Sequence, residues 1–422
     1  MKYRALKGVH DILPPDIFLW QKIESVAKES FTAYGFFELR APIIEPTDIF
    51  IRSIGETTDI VEKEMYTFSD KAGRHITLRP EGTAPVVRCY VEHHLYNLPA
   101  PQKFFYSGPM FRYERPQSGR FRQFYQIGAE AFGISDPKID AEILSLLKLV
   151  FERLGLQGLS FEINSIGCAK CRPDYRKALT DFFSRRVHGL CPDCKRRFDQ
   201  NPLRILDCKV ESCKQLREGA PYVTTFLCSE CAEHFDKLQS YAGMLGIPFI
   251  TNPEMVRGLD YYTRTTFEVT CSHLGAQNAV AAGGRYDRLV EDFGGPPTPA
   301  IGFAIGLERL ASLLKSSADQ LISSPKVFIA VLGDAAAREG LALALRLRLK
   351  GLWVELGYAG NSLKSQMRRA DRLAADYTLI LGEDEIRAGI VTWKRLANGV
   401  QGRTRLDEIE ALLLSSAESP AK

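Results

Sequence analysis

The sequence predicts an α+β domain with a mostly antiparallel sheet flanked by helices, followed by a small C-terminal α/β domain. Three observations carry this prediction. Residues 103–113 and 121–132 are both rich in Phe, Tyr and Ile and flank a Pro-Gln-Ser-Gly turn, so they read as the arms of a long antiparallel hairpin. A second apolar hairpin is expected from Tyr262 to Val280, ending in the glycine pair of AAGGRYD. After the polar, proline-ended stretch SSADQLISSP the period changes to alternating strands and helices, a βαβαβ pattern. Strands bounded by helices at both ends suggest the α+β class for the first part.

Residues 14–34 place Leu19, Ile23, Val26, Ala27, Phe31 and Tyr34 on one helical face, with Pro14-Pro15 before them and Gly35 after. FFELRAPII (36–44) reads as a strand. The tip of the first hairpin, FRYERPQSGRFRQF (111–124), holds four arginines and one glutamate. Guanidinium groups at that density repel one another unless they meet an anion. A region of different character follows at about 165–245, with short helical patterns and eight of the ten cysteines, and it reads as an insertion. GFAIGLERLASLL is expected to be a helix. Beyond the linker 316–325 come a strand in KVFIAVLG, a helix at 335–350, a strand in LWVELGY, a helix at 362–374 and a strand in YTLILG. The expected domains are therefore 1–320 and 326–412, with a loose tail at 413–422.

Composition narrows the class. Of 422 residues 45% are hydrophobic and 25% charged, as in ordinary globular proteins, which argues against disorder. No apolar run approaches the ~20 residues that a membrane span needs, and MKYRALKGVHDILPP has no signal-peptide core. A cytoplasmic protein without a membrane partner is expected. The net charge of +4 permits a polyanionic partner without demanding one. Cytosolic cysteines read as thiols or metal ligands before disulfides.

The P-loop, the G-x-G-x-x-G turn, G-x-S-x-G and H-E-x-x-H are all absent. What remains is arginines and carboxylates beside glycines and aromatics, in LRPEGTAP (78–85), the hairpin tip, VRGLDYYTRTTFE (256–268), and AAGGRYD with GLERL (281–287, 306–310). That set suits attack of a carboxylate on a phosphoryl group, which needs in-line positioning and positive charge more than a protein nucleophile. Each signal also has a plain structural explanation. The arginine tip could be a solvated surface, Glu81 the polar residue of a turn, Gly283-Gly284 a bulge, and Asp260-Tyr261-Tyr262 a strand start with core aromatics.

Taken together, these segments resemble the histidyl-tRNA synthetase family of class II aminoacyl-tRNA synthetases, over essentially the full length. FFELRAPIIEP with Pro42 is similar to the first class motif, FRYERPQSGRFRQFYQIGAE to the second, and AIGFAIGLERL to the third. RGLDYYTRTTFE and AAGGRYD are similar to the two segments peculiar to the histidine enzyme. The resemblance implies a class II catalytic fold, a homodimer, and ATP-dependent formation of histidyl-adenylate with Mg²⁺. Transfer of L-histidine to the 3′ end of tRNA(His) for protein synthesis would follow. By the same resemblance Arg112 would bind the ATP α-phosphate, Glu114 the adenine amino group and Arg309 the γ-phosphate. Phe124 would stack on adenine, and Arg120 sits where the hairpin approaches the phosphates. Glu81, Thr83 and Gln126 would hold the histidine α-amino group. Glu130 and Tyr262 would read the imidazole, with Tyr261 and Tyr286 lining the pocket. Arg257 would lie against the carboxylate and α-phosphate, making it, with Arg112, the catalytic pair.

The family uses its C-terminal α/β domain on the tRNA anticodon. Lys364, Arg368, Arg369 and Arg372 lie on or near one face of the second helix there, with Lys394 and Arg395 further on, and would contact tRNA phosphates. A solvated helix face would look the same. Arg115 and Gln117, at the hairpin tip, would meet the tRNA acceptor end, so that each arginine of the tip meets a phosphate.

The cysteines depart from the resemblance, since many synthetases of this family lack them. Cys168/Cys171, Cys191/Cys194 and Cys228/Cys231 are C-x₂-C pairs and Cys208/Cys213 is C-x₄-C. The first two pairs, 19 residues apart, fit zinc-ribbon spacing. Either one or two structural Zn²⁺ ions organise the insertion, or these are reduced thiols. Other functions compete: a regulatory paralogue without the anticodon domain, an RNA-binding protein, and a class II synthetase for proline or threonine. The tyrosines, Glu81 and Glu130 would be unexplained by RNA binding, and LDYYTRTTFE with GGRYD argues for histidine.

Overall fold

The computed structural model describes residues 3–56, 58–117, 119–274, 278–315, 324–358, 360 and 362–415. The chain forms two compact units that divide at 321/322. Residues 316–323 of the expected linker lie outside the described residues.

The first unit carries strands β1 (Phe37–Glu38), β2 (Ile44–Pro46), β3 (Tyr66–Ser69), β4 (His75–Leu78), β5 (Gln102–Phe111), β6 (Gln123–Phe132), β7 (Leu159–Ser165), β8 (Phe249–Thr251), β9 (Thr263–Cys271), β10 (Ala279–Arg285) and β11 (Ala300–Gly306). Eight of them form one sheet in the order β1-β5-β6-β11-β10-β9-β7-β8, while β2-β4-β3 make a small second sheet. Every neighbouring pair in the large sheet is antiparallel except β1–β5 and β7–β8. The first hairpin forms as expected, with Gln102 opposite Phe132 and Phe111 opposite Gln123.

Strand alternation sorts the two faces. On β6, Ile127, Ala129 and Ala131 point into a core shared with the helix Asp16–Ala33 and the helix Lys138–Arg153, through Ile23, Phe31, Leu144 and Leu147. Phe132 belongs to a second cluster on the other face, with Val87 and Tyr90 from the helix Thr83–Glu92. The intervening residues Phe124, Gln126 and Glu130 share that second face. On β11, Ile301, Phe303 and Ile305 take the first core, leaving the small residues Gly302, Ala304 and Gly306 on the face of Gln126.

Two elements differ from expectation. FFELRAPII is not one strand: β1 ends at Glu38 and β2 begins at Ile44, because Pro42 has no N–H to continue a ladder. The first half of GFAIGLERLASLL is strand β11, and the helix covers only Leu307–Leu314. A buried strand reads as a continuous apolar run, which on paper resembles a buried helix.

Between β7 and β8 lie the helices Arg172–Ser184, Pro192–Gln200, Glu211–Leu216 and Ser229–Met244. The first three build a core of their own around Tyr175, Leu179, Phe183 and Ile205. The last places Phe235, Leu238 and Ala242 in the main core.

The second unit has strands β12 (Val327–Val331), β13 (Val354–Leu356), β14 (Tyr377–Leu381), β15 (Ile390–Arg395) and β16 (Gln401–Arg405), in the order β13-β12-β14-β15-β16. The first three are parallel and alternate with the helices Asp334–Leu349 and Leu363–Arg372, as the βαβαβ pattern requires. An antiparallel pair, β15 and β16, extends the sheet beyond that pattern. The helix Ile409–Ser415 runs past 412 and buries Leu413 in this unit's core; residues 416–422 of the expected tail lie outside the described residues. No helix among the described residues is long and apolar enough to cross a membrane.

Candidate active site

The second face of the large sheet carries a cavity of about 230 Å³. It brings together Glu81, Thr83, Arg112, Glu114, Arg120, Phe124, Gln126, Arg257, Tyr261, Tyr262, Tyr286 and Arg309, which stand as far as 228 residues apart in sequence (309 − 81). Its floor is the small-residue face of β10 and β11.

One end is cationic. Arg112 continues the hairpin, its backbone N–H donating to Arg122 O at 2.9 Å, and its Nε donates to Pro80 O at 2.9 Å. Its guanidinium lies 5.2 Å from the centre of the Phe124 ring. Arg309, in the first turn of the helix Leu307–Leu314, donates from Nη1 to Ala279 O at 2.7 Å and from Nε to Gly119 O at 3.3 Å. Glu114 stands 3.2 Å from Arg120 Nη1 and 3.9 Å from Arg112 Nη1. Backbone carbonyls thus fix two guanidinium groups that line the cavity. Arg122 does otherwise: it stacks 3.8 Å over the Tyr113 ring and donates to Glu114 O, so it is not among the cavity arginines.

The other end is built from carboxyls and phenols. Glu81 accepts the N–H groups of Thr83 and Ala84, both at 2.7 Å, at the N-terminus of the helix Thr83–Glu92, where the helix dipole favours an anion. The turn explanation of Glu81 and its place in the cavity are both true. Burial raises its pKa. Glu130 does not line the cavity. It is 0% exposed beneath Gly302, where any β-carbon would fall 1.6 Å from Glu130 Oε2. Its two oxygens are taken by Tyr286 OH at 2.5 Å and Thr83 Oγ1 at 2.8 Å. Both of those hydroxyl-bearing residues line the cavity. Burial pushes the Glu130 carboxyl up to about 8. Tyr261 packs 4.7 Å from Tyr262 and edge-on at 5.7 Å to Tyr286. Burial raises all three phenols, so they stand as neutral donors.

Arg257 joins the two ends. It forms a hydrogen-bonded ion pair with Glu268 and lies 6.0 Å from the Tyr262 ring, yet its Nε is buried with no hydrogen-bond partner among the described residues. Gln126 Oε1 is buried and unpaired in the same way. Unpaired buried polar atoms cost about 1–3 kcal/mol each, and both of these belong to residues that line the cavity.

Sequence reasoning missed Glu268 and Glu308. Glu268 is an isolated carboxylate in an alternating strand, which reads as a solvent-facing residue. Glu308 accepts the Tyr125 N–H at 2.9 Å, and burial lifts it to about 7. Arg115 and Gln117 are exposed and lie outside the cavity. In the second unit Lys364, Arg368 and Arg372 are exposed on the helix Leu363–Arg372, whereas Arg369 is half-buried, bonded to Glu355 at 3.2 Å and 5.4 Å from the Tyr358 ring. Lys394 and Arg395 lie on β15.

The cysteines group differently from the sequence expectation. Cys168 and Cys171 meet Cys228 and Cys231, and Cys191 and Cys194 meet Cys208 and Cys213. The zinc-ribbon pairing of the first two C-x₂-C pairs does not occur, because helices carry the second pair into a different core. Both groups are potential metal sites.

The family model for histidyl-tRNA synthetase matches residues 8–310, and that for an anticodon-binding domain matches 326–416. The chain is 54% identical over 413 residues to the histidine–tRNA ligase of Thermodesulfovibrio yellowstonii, covering 98% of each chain. It is 54% identical over 407 residues to that of Trichlorobacter lovleyi, covering 96% of this chain and 97% of that one. Its fold matches the crystal structure of apo S. aureus histidyl-tRNA synthetase with a TM-score of 0.83 at 37% identity, over 97% of this chain and 99% of that one. With matches of this extent joined to a cavity of arginines, carboxyls and tyrosines, the chain belongs to the histidyl-tRNA synthetase family of class II aminoacyl-tRNA synthetases.

Proposed function

We propose that the cavity binds ATP at its arginine end and histidine at its tyrosine end, and that Arg257 serves both. The enzyme is a histidine–tRNA ligase. In the first step the histidine carboxylate attacks the α-phosphorus of ATP, entering as its Mg²⁺ complex. The bond to the β-phosphate breaks and pyrophosphate leaves. In the second step the terminal ribose hydroxyl of tRNA(His) attacks the carbonyl of the mixed anhydride, and AMP leaves.

Arg112 would hold the α-phosphate and Arg309 the γ-phosphate, with Arg120 beside them. Phe124 would stack on adenine, and Glu114 would receive its amino group once ATP draws the arginines away. Glu81, Thr83 and Gln126 would hold the α-ammonium, and the unpaired Gln126 Oε1 suits that donor. Tyr262, Tyr261 and Tyr286 would surround the imidazole. A neutral imidazole has one donor and one acceptor, and a site that pairs both rejects apolar isosteres. Glu130 is a positioning residue in this scheme, fixing the hydroxyls of Tyr286 and Thr83. Zn²⁺ enters only as a structural ion of the cysteine groups, outside the chemistry.

We further propose that Lys364, Arg368 and Arg372 contact tRNA phosphates, with Arg369 supporting the fold, and that Arg115 and Gln117 meet the acceptor end. The family's homodimer is supported by exposed apolar residues near Pro42: Phe37, Ile43, Ile44 and Phe68. A cytoplasmic location is consistent with the substrates. The second domain of this scheme begins at 326, after the linker.

The observation that carries the reading is that Arg257 lines one cavity with Arg112, Arg120 and Arg309 on one side and Tyr261, Tyr262 and Tyr286 on the other. Arg257→Ala should reduce histidine-dependent pyrophosphate exchange by about 10²–10³-fold, the cost of one lost charge-stabilising donor, while histidine binding weakens less. Full exchange activity in that variant would remove the assignment.

A further inference from the structure

Eight cysteines are not used by the reaction. In each of their two groups all four Sγ atoms lie within 4.8 Å of one another. Cys168 Sγ is 3.7 Å from Cys171 Sγ and 3.9 Å from Cys228 Sγ, and Cys191 Sγ is 3.9 Å from Cys208 Sγ. A tetrahedral zinc ion with Zn–S bonds of about 2.3 Å sets its sulfurs about 3.8 Å apart. All ten cysteines are free thiols. An iron–sulfur cluster would hold its thiolates wider apart, around the outside of the cluster. Backbone N–H groups already point at sulfur, from Cys228 to Cys171 Sγ at 3.1 Å and from Cys191 to Cys213 Sγ at 3.3 Å. Such contacts orient ligating thiolates.

We propose that each group holds one Zn²⁺, and that the two ions position the histidine side of the cavity. The segment from Asn252 to Tyr262 has no regular helix or strand, so its place depends on what grips it. Both cysteine groups grip it. Cys168, Cys171, Cys228 and Cys231 join the start of the helix Arg172–Ser184 to that of Ser229–Met244, which is anchored in the main core. Arg172, the residue after Cys171, donates to the Tyr262 carbonyl. Cys191, Cys194, Cys208 and Cys213 bracket the turn Pro202–Ile205. From that turn Arg204 donates to Asp260 Oδ1 at 2.7 Å, and the adjoining Asn201 donates to the same oxygen at 3.4 Å. One site therefore ends on Tyr262 and the other on Asp260, on either side of Tyr261. The zinc assignment stands by itself; its effect on histidine rests on the pocket proposed above.

The test uses the full chain purified without a metal-affinity tag. Elemental analysis should find about two zinc ions per chain, falling to about one in Cys194→Ser or Cys228→Ser. In pyrophosphate exchange both variants should raise the KM for histidine about tenfold or more, and the KM for ATP less than about twofold. If either variant fails to fold, stepwise zinc removal from the native enzyme with a chelator should give the same KM split, reversed by added Zn²⁺. Absence of zinc, or iron in its place, overturns the metal assignment. Zinc loss with an unchanged histidine KM overturns the positioning role. If the wild-type enzyme holds two zinc ions but shows no histidine-dependent exchange, the pocket assignment fails and the metal sites stand.

Discussion

The two ends of the cavity solve opposite electrostatic problems. At the arginine end, positive charges stand together with Glu114 as their near carboxylate, and Pro80 O and Ala279 O tether Arg112 and Arg309 in place. Arg112, Arg120 and Arg309 line that end together, an arrangement that suits an anion. At the tyrosine end the carboxyls are sunk into the protein, and every hydroxyl near Glu130 is spoken for. That end has little net charge to offer and much directional hydrogen bonding. Under the proposed binding mode the contrast teaches which end should govern rate and which should govern choice of amino acid: charge stabilisation would act on the developing pyrophosphate, and directional hydrogen bonds on the bound ring.

The sharpest way to break this contrast is Arg309→Ala. If the arginine end acts on leaving-group charge, kcat for pyrophosphate exchange should fall about 10²–10³-fold, with ATP KM raised and histidine KM nearly unchanged. Steady-state exchange at varied ATP and histidine checks this. An equal rise in both KM values would mean that the ends are not separate.

Tyr286→Phe probes the other end with a smaller expected loss. It removes the hydroxyl 2.5 Å from Glu130 and frees one oxygen of a buried carboxyl. A buried polar group left unpaired costs about 1–3 kcal/mol, so histidine KM should rise by roughly five- to a hundredfold, with ATP KM unmoved. The same titrations, run on the variant, decide it; a shift confined to ATP would reverse the assignment of ends.

How far this division was legible beforehand varied with the element. The first hairpin was plain because β5 and β6 are both rich in aromatic residues and flank a Pro-Gln-Ser-Gly turn. Strand β11 was not, since Ala300–Gly306 is apolar throughout and runs directly into a helix, leaving no period to tell the two apart. The cavity residues came from motif resemblance, because nothing in spacing alone joins Glu81 to Arg309. The burial of Glu130 was not legible: its place under Gly302 follows from strand register, where Gly302 pairs with Glu130, and register is a tertiary fact. The cysteine groups failed for a similar reason. Spacing identifies each C-x₂-C knuckle, but the partner of Cys168/Cys171 lies beyond two other pairs.

The smallest expected effect is on stability, and it isolates the buried carboxyl itself. Glu130 titrates at about 8 in the folded protein because burial disfavours its charge, against an ordinary value of 4.5. Between those values the folded chain holds a proton that the unfolded chain has released. Its contribution to stability is therefore full below 4.5 and is lost as pH rises through 8. Glutamine at 130 cannot titrate, so Glu130→Gln should lose less stability than wild type between slightly acid and slightly alkaline pH. Glu308, lifted to about 7, pushes in the same direction but in both proteins, so the difference between them belongs to position 130. Melting temperatures across that range should diverge by a few degrees, with the variant gaining on wild type as pH rises. Parallel curves would mean that Glu130 stays ionised throughout, held by Tyr286 and Thr83. Both hydroxyls would then present only their lone pairs to the cavity at every pH, and the tyrosine end would accept hydrogen bonds from histidine without donating any through Thr83 or Tyr286.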